Sequence, residues 1–113
     1  MKKLAVIKSE RAMNQVTKIM VNKLRNKVEI FKNYEVSVEE YLKGRINHIV
    51  IKADSHMLTK TVCDVAWEVI NEYEEKYEAM CICGTIQTRP YYTKDGKYEL
   101  HQPVIEISVR VSE

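Results

Sequence analysis

The residues whose types and spacing could support chemistry lie mainly in the last third of the chain. Cys81-x-Cys83 would place two thiols on one side of a strand, about 7 Å apart. A zinc site needs two further ligands, which His48 or His101 could supply, but structural zinc sites usually carry CxxC or HxxxH spacing. Neither spacing occurs in this sequence. The pattern favours ordinary half-buried strand residues, and we expect neither a metal site nor a cofactor.

Nucleophilic catalysis has the residue types it needs but no signature. Cys63 and three histidines could form a thiol–base pair, which requires an orienting third group. The run Asp54-Ser55-His56 is adjacent in sequence, and adjacent side chains point apart and seldom form a triad. Three glycines in the whole chain nearly exclude a glycine-lined phosphate cradle. We therefore predict no catalytic residue and favour a protein that is not an enzyme.

One face of the predicted sheet carries a weaker candidate for a small-ligand or enzyme site. Arg89 and Arg110 could bind an anion there, with Glu106 as a base. The same face would also carry Cys81, Cys83 and Thr85.

A second candidate is the basic face of the first long helix. Residues 1–34 contain nine Lys or Arg against two Glu, whereas residues 54–78 contain seven Asp or Glu against two Lys. This asymmetry permits an anionic partner, and equally permits the two segments to neutralise each other. The cations that would contact phosphate in a nucleic-acid-binding module are Arg11, Lys18, Lys23, Arg25 and Lys27.

Length and composition bound the architecture that positions these groups. A chain of 113 residues with 30% charged residues predicts one globular domain over residues 1–113. The sequence has no run of about 18 apolar residues, so it predicts no membrane span. The first residues resemble the start of a signal peptide, but charged residues from Lys8 onward interrupt the apolar segment that such a peptide needs. Three cysteines predict reduced thiols and a cytoplasmic location.

Two long amphipathic helices are predicted from apolar spacings of three and four. Ser9 caps the first, which runs from about residue 10 to about 31, although 28–36 also alternates like a strand. Asp54 or Ser55 caps the second, which ends near Tyr77. The second helix has an apolar arc wider than one sheet contact needs, so we expect its flank to face the other helix or a second subunit. That flank consists of Cys63, Trp67 and Ile70.

Between the helices, Ser37-Val38-Glu39-Glu40 has the spacing of a capping box. With Gly44 as the terminating glycine, it predicts a short helix over 38–43. Residues 46–53 are apolar on both faces, which predicts an interior strand. Residues 2–8 are too few to assign and could add a further strand.

The C-terminal third predicts one long β-hairpin that turns at Asp95-Gly96, because both residues of a type I′ turn need positive φ. Pairing outward from this turn opposes apolar residues on one face. The opposed pairs are Ile86–Ile105, Gly84–Ile107, Ile82–Val109 and Met80–Val111.

Pro90 and Pro103 lie above these pairs and predict an edge, a bulge or a bend. Beyond them we expect an arm that projects from the domain and offers a contact surface, since tyrosine gives a large contact area at low entropy cost. Its apolar and aromatic residues are Tyr91, Tyr92, Tyr98 and Leu100.

The sequence as a whole predicts an α+β fold. Two long helices pack on an antiparallel or mixed sheet of three to four strands, which includes the C-terminal hairpin. The function it favours is that of a small regulatory or inhibitory protein that acts by protein binding and self-association, as a homodimer or higher oligomer. Nucleic-acid binding is the first alternative, and a small anionic ligand or enzyme site is the second.

Overall fold

The structure is a computed structural model that describes residues 3–31, 33–53 and 58–112. It has an α+β fold with two helices and a four-stranded antiparallel sheet of strand order β1-β2-β4-β3. In chain order the elements are α1 (Glu10–Val28), β1 (Tyr34–Leu42), β2 (Ile46–Ala53), α2 (Lys60–Glu74), β3 (Ile82–Tyr92) and β4 (Glu99–Arg110).

Helix α1 begins where the sequence predicts. Ser9 is in an extended conformation, and its side chain accepts a hydrogen bond from the Ala12 N–H, which satisfies one free donor of the first turn. The helix ends at Val28, three residues before the predicted end. The Glu29 N–H still donates to the Arg25 carbonyl, but the Phe31 N–H donates to the Val28 carbonyl only three residues back, so the helical pattern stops there. Its buried face consists of Met13, Thr17, Met20, Val21, Leu24 and Val28.

The predicted helix over 38–43 is wrong, because residues 38–42 belong to β1 and Lys43 lies in the turn that follows it. Val36 is opposite Ile51 in β2, and its side chain is buried. Gly44 does adopt a positive φ of 77°, but it does so in the turn that joins β1 to β2. Pairing with β2 buries apolar area and satisfies a full row of backbone groups, and it therefore outweighs a local cap worth about 1 kcal/mol.

The fourth strand of the sheet is therefore β1 and not the segment 2–8. Within the described part of that segment, Ala5 makes an isolated parallel bridge to Tyr77. The Ala5 N–H donates to the Lys76 carbonyl and the Ala5 carbonyl accepts from the Glu78 N–H. The N-terminal segment is thus tied to the end of α2, and Ile7 enters the core at 1% exposure.

Helix α2 has a different cap from the predicted one. Thr59 is the N-cap, and its side chain accepts from the Val62 N–H. Asp54, Ser55 and His56 lie outside the described residues. Helix α2 ends at Glu74, close to the predicted end at Tyr77.

The long hairpin has the predicted register from Ile82–Val109 to Tyr92–Glu99, but the fourth predicted apolar pair, Met80–Val111, lies outside this ladder. Ile82 is opposite Val109 and Ile86 is opposite Ile105. The apolar pairs are not equally buried, however. Ile105 is fully buried whereas Ile86 is 56% exposed.

The predicted type I′ turn is wrong, because Gly96 has a φ of +71° whereas Asp95 has no positive φ. The Gly96 N–H donates to the Thr93 carbonyl and the Thr93 N–H to the Tyr98 carbonyl, so the turn is longer than the two residues predicted.

Both prolines of the hairpin occupy positions where a strand needs no N–H donor. The Val111 N–H donates to the Arg45 carbonyl, on the β2 side of β4. Backbone N–H groups alternate in direction along a strand, so every second residue points the same way. The Pro103 nitrogen therefore also faces β2. The β2–β4 ladder ends at Ile51–Ile105, just below that proline. By the same alternation the Pro90 nitrogen points away from β4, to the outside of edge strand β3.

The core lies between the helices and one face of the sheet. Buried residues of α1 and α2 form a single cluster with the inward-facing residues of all four strands. The radius of gyration is 14.8 Å, against about 13 Å for a compact chain of this length. The upper hairpin accounts for this elongation, because the β2–β4 ladder stops at Ile105 while β3 and β4 continue to pair as far as Tyr92–Glu99.

Candidate interaction surface

The outer edge of β3 has unpaired backbone groups in its middle. Even-numbered residues of β3 point their N–H and C=O groups away from β4. At the lower end these donors are used, because the Ile82 N–H donates to the Glu78 carbonyl and the Gly84 N–H to Glu74 Oε2. Ile86 and Thr88 have no such partner anywhere in the described ranges. We call the outward-facing backbone of these two residues the β3 edge.

The side chains around the β3 edge do not protect it. Edge strands are usually shielded by charges, prolines or bulges. The run from Ile82 to Thr88 contains none of these, and Pro90 is the first residue of β3 whose outward side has no N–H donor. The Ile86 side chain is 56% exposed beside it. Such an uncharged, β-prone segment is an aggregation hazard unless another chain covers it.

Helix α2 provides a flank next to this edge. Ile70 and Glu74 both contact Gly84, and Trp67 lies one turn higher on the same side of the helix. By helical spacing Cys63 lies on this side too, one further turn toward the start of α2. Both side chains are half-buried.

Ile70 is unavailable to a partner, contrary to its predicted place in an interface. It is completely buried, and its Cγ2 would lie 2.7 Å from a Cβ atom built at Gly84. The missing side chain of Gly84 lets α2 settle on β3 at this point. The apolar arc of α2 is wide because its two sides pack on α1 and on β3.

The tyrosines of the hairpin end lie beside the β3 edge and farther along the arm. Tyr92 and Tyr98 are each 66% exposed and Leu100 is 39% exposed, whereas Tyr91 is half-buried. The turn is held by Asp95, whose side chain accepts from the Thr93 hydroxyl and the Lys97 N–H, and these bonds lower its pKa.

The basic face of α1 is largely occupied by contacts within the chain. Lys23 pairs with Glu72 and Lys27 with Glu68, each at 3.1 Å. The pKa of Lys23 is raised by its hydrogen bond with Glu72. Two of the cations of α1 thus pair with two of the carboxylates of α2 and hold the helices together.

Arg25 is also engaged, since its guanidinium donates to the Val36 carbonyl. Arg11 and Lys18 have no ion-pair partner among the residues that the structure describes. Three of the five cations predicted for phosphate therefore serve the fold. This weakens the nucleic-acid alternative that the sequence left open.

The open face of the sheet brings together Arg89 and Glu106, as predicted, with a third residue that the sequence did not indicate. The Arg89 guanidinium binds both oxygens of Glu39 at 2.9 Å and Glu106 Oε1 at 3.0 Å. Its pKa rises because of these hydrogen bonds, and the pKa of Glu39 falls for the same reason. An arginine held by two carboxylates is poorly placed to bind an anion.

His48 extends the same network. Its Nδ1 lies 3.3 Å from Glu106 Oε1, and its ring stacks on Tyr41 at a centroid distance of 5.2 Å. Glu106 thus has two neighbours already, and it is only 16% exposed. The geometry assigns this cluster to holding strands β1, β2, β3 and β4 together.

The other predicted members of the open-face site are not gathered there. Arg110 is exposed near the lower end of β4, opposite Ile46, and has no contact with Arg89 or Glu106 within the described ranges. Cys81 is 1% exposed in the core, where its Sγ accepts from the Ile7 N–H. Of the three residues Cys81, Cys83 and Thr85, the last two lie on the open face of β3 together with Arg89.

We expect Arg89→Met to lower the free energy of unfolding at pH 7 by about 1–3 kcal/mol, because it leaves the half-buried Glu106 without its guanidinium partner. The pKa of Glu39 is lowered in the folded protein by its hydrogen bond with Arg89. The ionised carboxylate therefore stabilises the fold at pH values above its ordinary pKa, and this stabilisation is lost as the pH falls through the folded-state pKa. The difference between wild type and variant should therefore shrink toward pH 3 in urea titrations. Lys60→Met removes the exposed pair with Asp64 and should change stability by less than about 0.5 kcal/mol. An equal loss in both variants would contradict a structural role for the cluster.

Two further observations bear on function. Among the described residues, no group of three His, Cys, Asp or Glu side chains is arranged to hold a metal ion. Neither helix in the described ranges is long and apolar enough to span a membrane.

Comparison with known proteins finds no match for this chain, whether among protein families, curated proteins or solved structures. The interpretation of its surfaces therefore rests on the geometry given above.

Proposed function

We propose that this protein is a small non-enzymatic binding protein that self-associates as a homodimer through the β3 edge. The observation that carries the proposal is the pair of unsatisfied residues Ile86 and Thr88, which lie in the uncharged stretch Ile82–Thr88 of edge strand β3, beside exposed apolar surface. An edge strand that no charge, proline or bulge protects tends to pair with another chain, so we expect a second chain at this edge.

A second copy fits the hydrogen-bonding pattern of this edge. If a two-fold axis passes beside Gln87, Ile86 of one copy lies opposite Thr88 of the other, and the reverse. Each pair then exchanges both backbone hydrogen bonds. The unpaired stretch ends at Gly84, whose N–H already donates to Glu74, and at Pro90, which has no N–H. In the dimer Gly84 of one copy lies opposite Pro90 of the other. The second copy therefore pairs with every free backbone group between these two residues.

The same axis brings the flanks of the two α2 helices toward each other. Trp67 and Cys63 of both copies would then be covered together with the two Ile86 side chains. Apolar anchors beside a continuous ladder are typical of stable interfaces, which bury about 800 Å² on each partner. The arms with Tyr92 and Tyr98 would project from opposite ends of the extended sheet, where they could contact a macromolecule in a regulatory or inhibitory role.

Sedimentation equilibrium tests this proposal. The wild type should show a mass twice the 13.3 kDa of one chain. Thr88→Pro removes the outward N–H but leaves the ladder to β4, because that side of the strand faces away from the change. Two hydrogen bonds are lost per dimer, so the dimer dissociation constant should rise about tenfold to a hundredfold.

Thr88→Ala is the matched control, since it keeps the N–H and should leave the dissociation constant nearly unchanged. Ile86→Lys should give monomers, because it places two like charges close to the axis. A wild type that stays monomeric at high concentration would contradict the proposal, as would a Thr88→Pro variant that dimerises as tightly as Thr88→Ala.

A further inference from the structure

The opposite edge of the sheet has a groove between α1 and β1. Its volume is about 440 Å³. The floor is formed by Val21, Thr17 and Asn47, which are buried, and by Val38, which is 44% exposed. Asn14, Lys18, Asn22, Arg25 and Glu40 line the rest.

Helix α1 covers one part of the β1 edge and leaves the next part open. At the upper end the Val36 N–H donates to Glu29 Oε2 and the Val36 carbonyl accepts from Arg25. These bonds show that even-numbered residues of β1 point outward. Val38 is the next one, and neither its N–H nor its C=O has a partner in the described part of the chain. Glu40 follows in the same orientation, before the register shift at Leu42.

The charge beside this open backbone is positive on the helix side. Lys18 and Arg25 line the groove, and neither has a carboxylate partner among the described residues. Arg25 keeps its charge but donates from Nε and Nη2 to the Val36 carbonyl, so Lys18 is the more available of the two cations. Arg11 lies farther along α1 and shares a second depression with Lys18. Glu40 is the only acidic residue lining the groove within the described ranges.

A second copy of β1 does not suit this edge. Strand β1 carries Glu35, Glu39 and Glu40, so pairing two copies would place like charges on neighbouring strands, which is destabilising. This contrasts with the uncharged middle of β3. The occupant of the groove should therefore be a different chain whose charge complements α1.

We propose that the groove binds an extended segment of a partner protein by addition of a strand to β1. The segment pairs with the backbone of Val38 and Glu40, and an acidic side chain at the level of Val38 points toward Lys18 and Arg25. Main-chain hydrogen bonds supply affinity in this mode, and the side-chain contacts supply specificity. The surface is separate from the β3 edge, so this inference does not depend on the homodimer.

The test uses a heptapeptide of alternating Val and Thr with one central Glu, titrated into the full chain and followed by amide NMR shifts. The shifts should centre on Val38 and Glu40. The same peptide with Lys in place of Glu should bind about tenfold more weakly, and more salt should reduce this difference. Lys18→Glu should weaken binding of the acidic peptide by about tenfold.

Two controls separate charge from backbone pairing. Lys94→Glu makes the same charge change on the arm and should leave binding unaltered. Val38→Pro removes the outward N–H and should abolish binding, whereas Val38→Ala retains it. Circular dichroism checks that each variant is folded. If Val38→Pro unfolds, the proposal is judged on Lys18→Glu and on the location of the NMR shifts. Equal binding of the acidic and basic peptides, or shifts centred on Ile86 and Thr88, would overturn the proposal.

Discussion

Replacing Gly84 by alanine should lower the free energy of unfolding by about 1–3 kcal/mol, although alanine suits a strand better than glycine does. The added Cβ would lie 2.7 Å from Ile70 Cγ2 and 3.4 Å from Ile70 Cδ1. Ile70 is completely buried, so it cannot move aside without disturbing α2. Urea titration of the variant and the wild type measures the loss.

A second substitution identifies the contact responsible. Ile70→Ala alone should cost about 2–5 kcal/mol, since it leaves a cavity against β3. In that background Gly84→Ala should cost little or even stabilise, because the new methyl group fills part of the cavity. The two changes are then strongly non-additive.

Ile70→Val is the discriminating control for this cycle. It retains the Cγ2 atom that would clash, and it removes only the terminal methyl group. Gly84→Ala should therefore remain costly in the Ile70→Val background. Additive effects of Gly84→Ala and Ile70→Ala would show that α2 does not rest on β3 at Gly84.

Ile70 also shows what helical periodicity can and cannot predict. Spacings of three and four correctly indicate an apolar arc that includes Ile70. They do not tell which side of the arc meets the sheet, because that depends on a glycine fourteen residues later in the chain. The sequence therefore leaves this surplus of apolar surface to the other helix or to a second subunit, whereas Ile70 packs on β3 in the core.

The hairpin was predictable because its determinants are local. Asp95-Gly96 indicates where the chain turns, although not the type of turn that forms, and the apolar pairs fix the register against a slip of one residue. The residues that form β1 present the opposite case. Ser37 and Glu40 have the spacing of a capping box, but the segment that contains them forms a strand. The pairing of this segment with β2 decides between helix and strand.

Gly44 illustrates the same ambiguity in one residue. A helix C-terminus and a tight turn between strands both favour a glycine with positive φ. Its conformation was thus predictable, but the element that it ends was not. The contact between Arg89 and Glu39 could not be predicted, because they are fifty residues apart and the strand order β1-β2-β4-β3 brings them together.

Asn47 is a buried polar residue of β2, and we expect its substitution to cause the second large loss of stability. It is 5% exposed, and its Nδ2 donates to Asn14 Oδ1 at 3.0 Å and to Thr17 Oγ1 at 3.1 Å. The Thr17 hydroxyl in turn donates to the Met13 carbonyl at 2.7 Å. Both Asn47 and Thr17 lie in the floor of the α1–β1 groove.

Asn47→Asp should cost about 3 kcal/mol at pH 7, because it replaces a satisfied donor by a buried charge that faces two oxygen atoms. Burial raises the folded-state pKa of the introduced carboxyl above its unfolded value of about 3.9. The stability of the variant is therefore highest below that value, where the carboxyl is protonated, and falls as the pH rises through the folded pKa. Urea titrations between pH 3 and pH 8 would measure this trend.

Asn14→Asp provides the matched control. It places the same carboxylate at the other end of the same hydrogen bond, but Asn14 is exposed and the new carboxylate still accepts from Asn47. Its cost should stay below about 0.5 kcal/mol. Asn47→Leu should cost no more than about 1 kcal/mol, because it removes the buried donor and leaves Thr17 bonded to Met13. A loss in Asn47→Asp that does not depend on pH would show that the site is hydrated, and the groove floor would then be open to solvent and a poorer surface for strand addition.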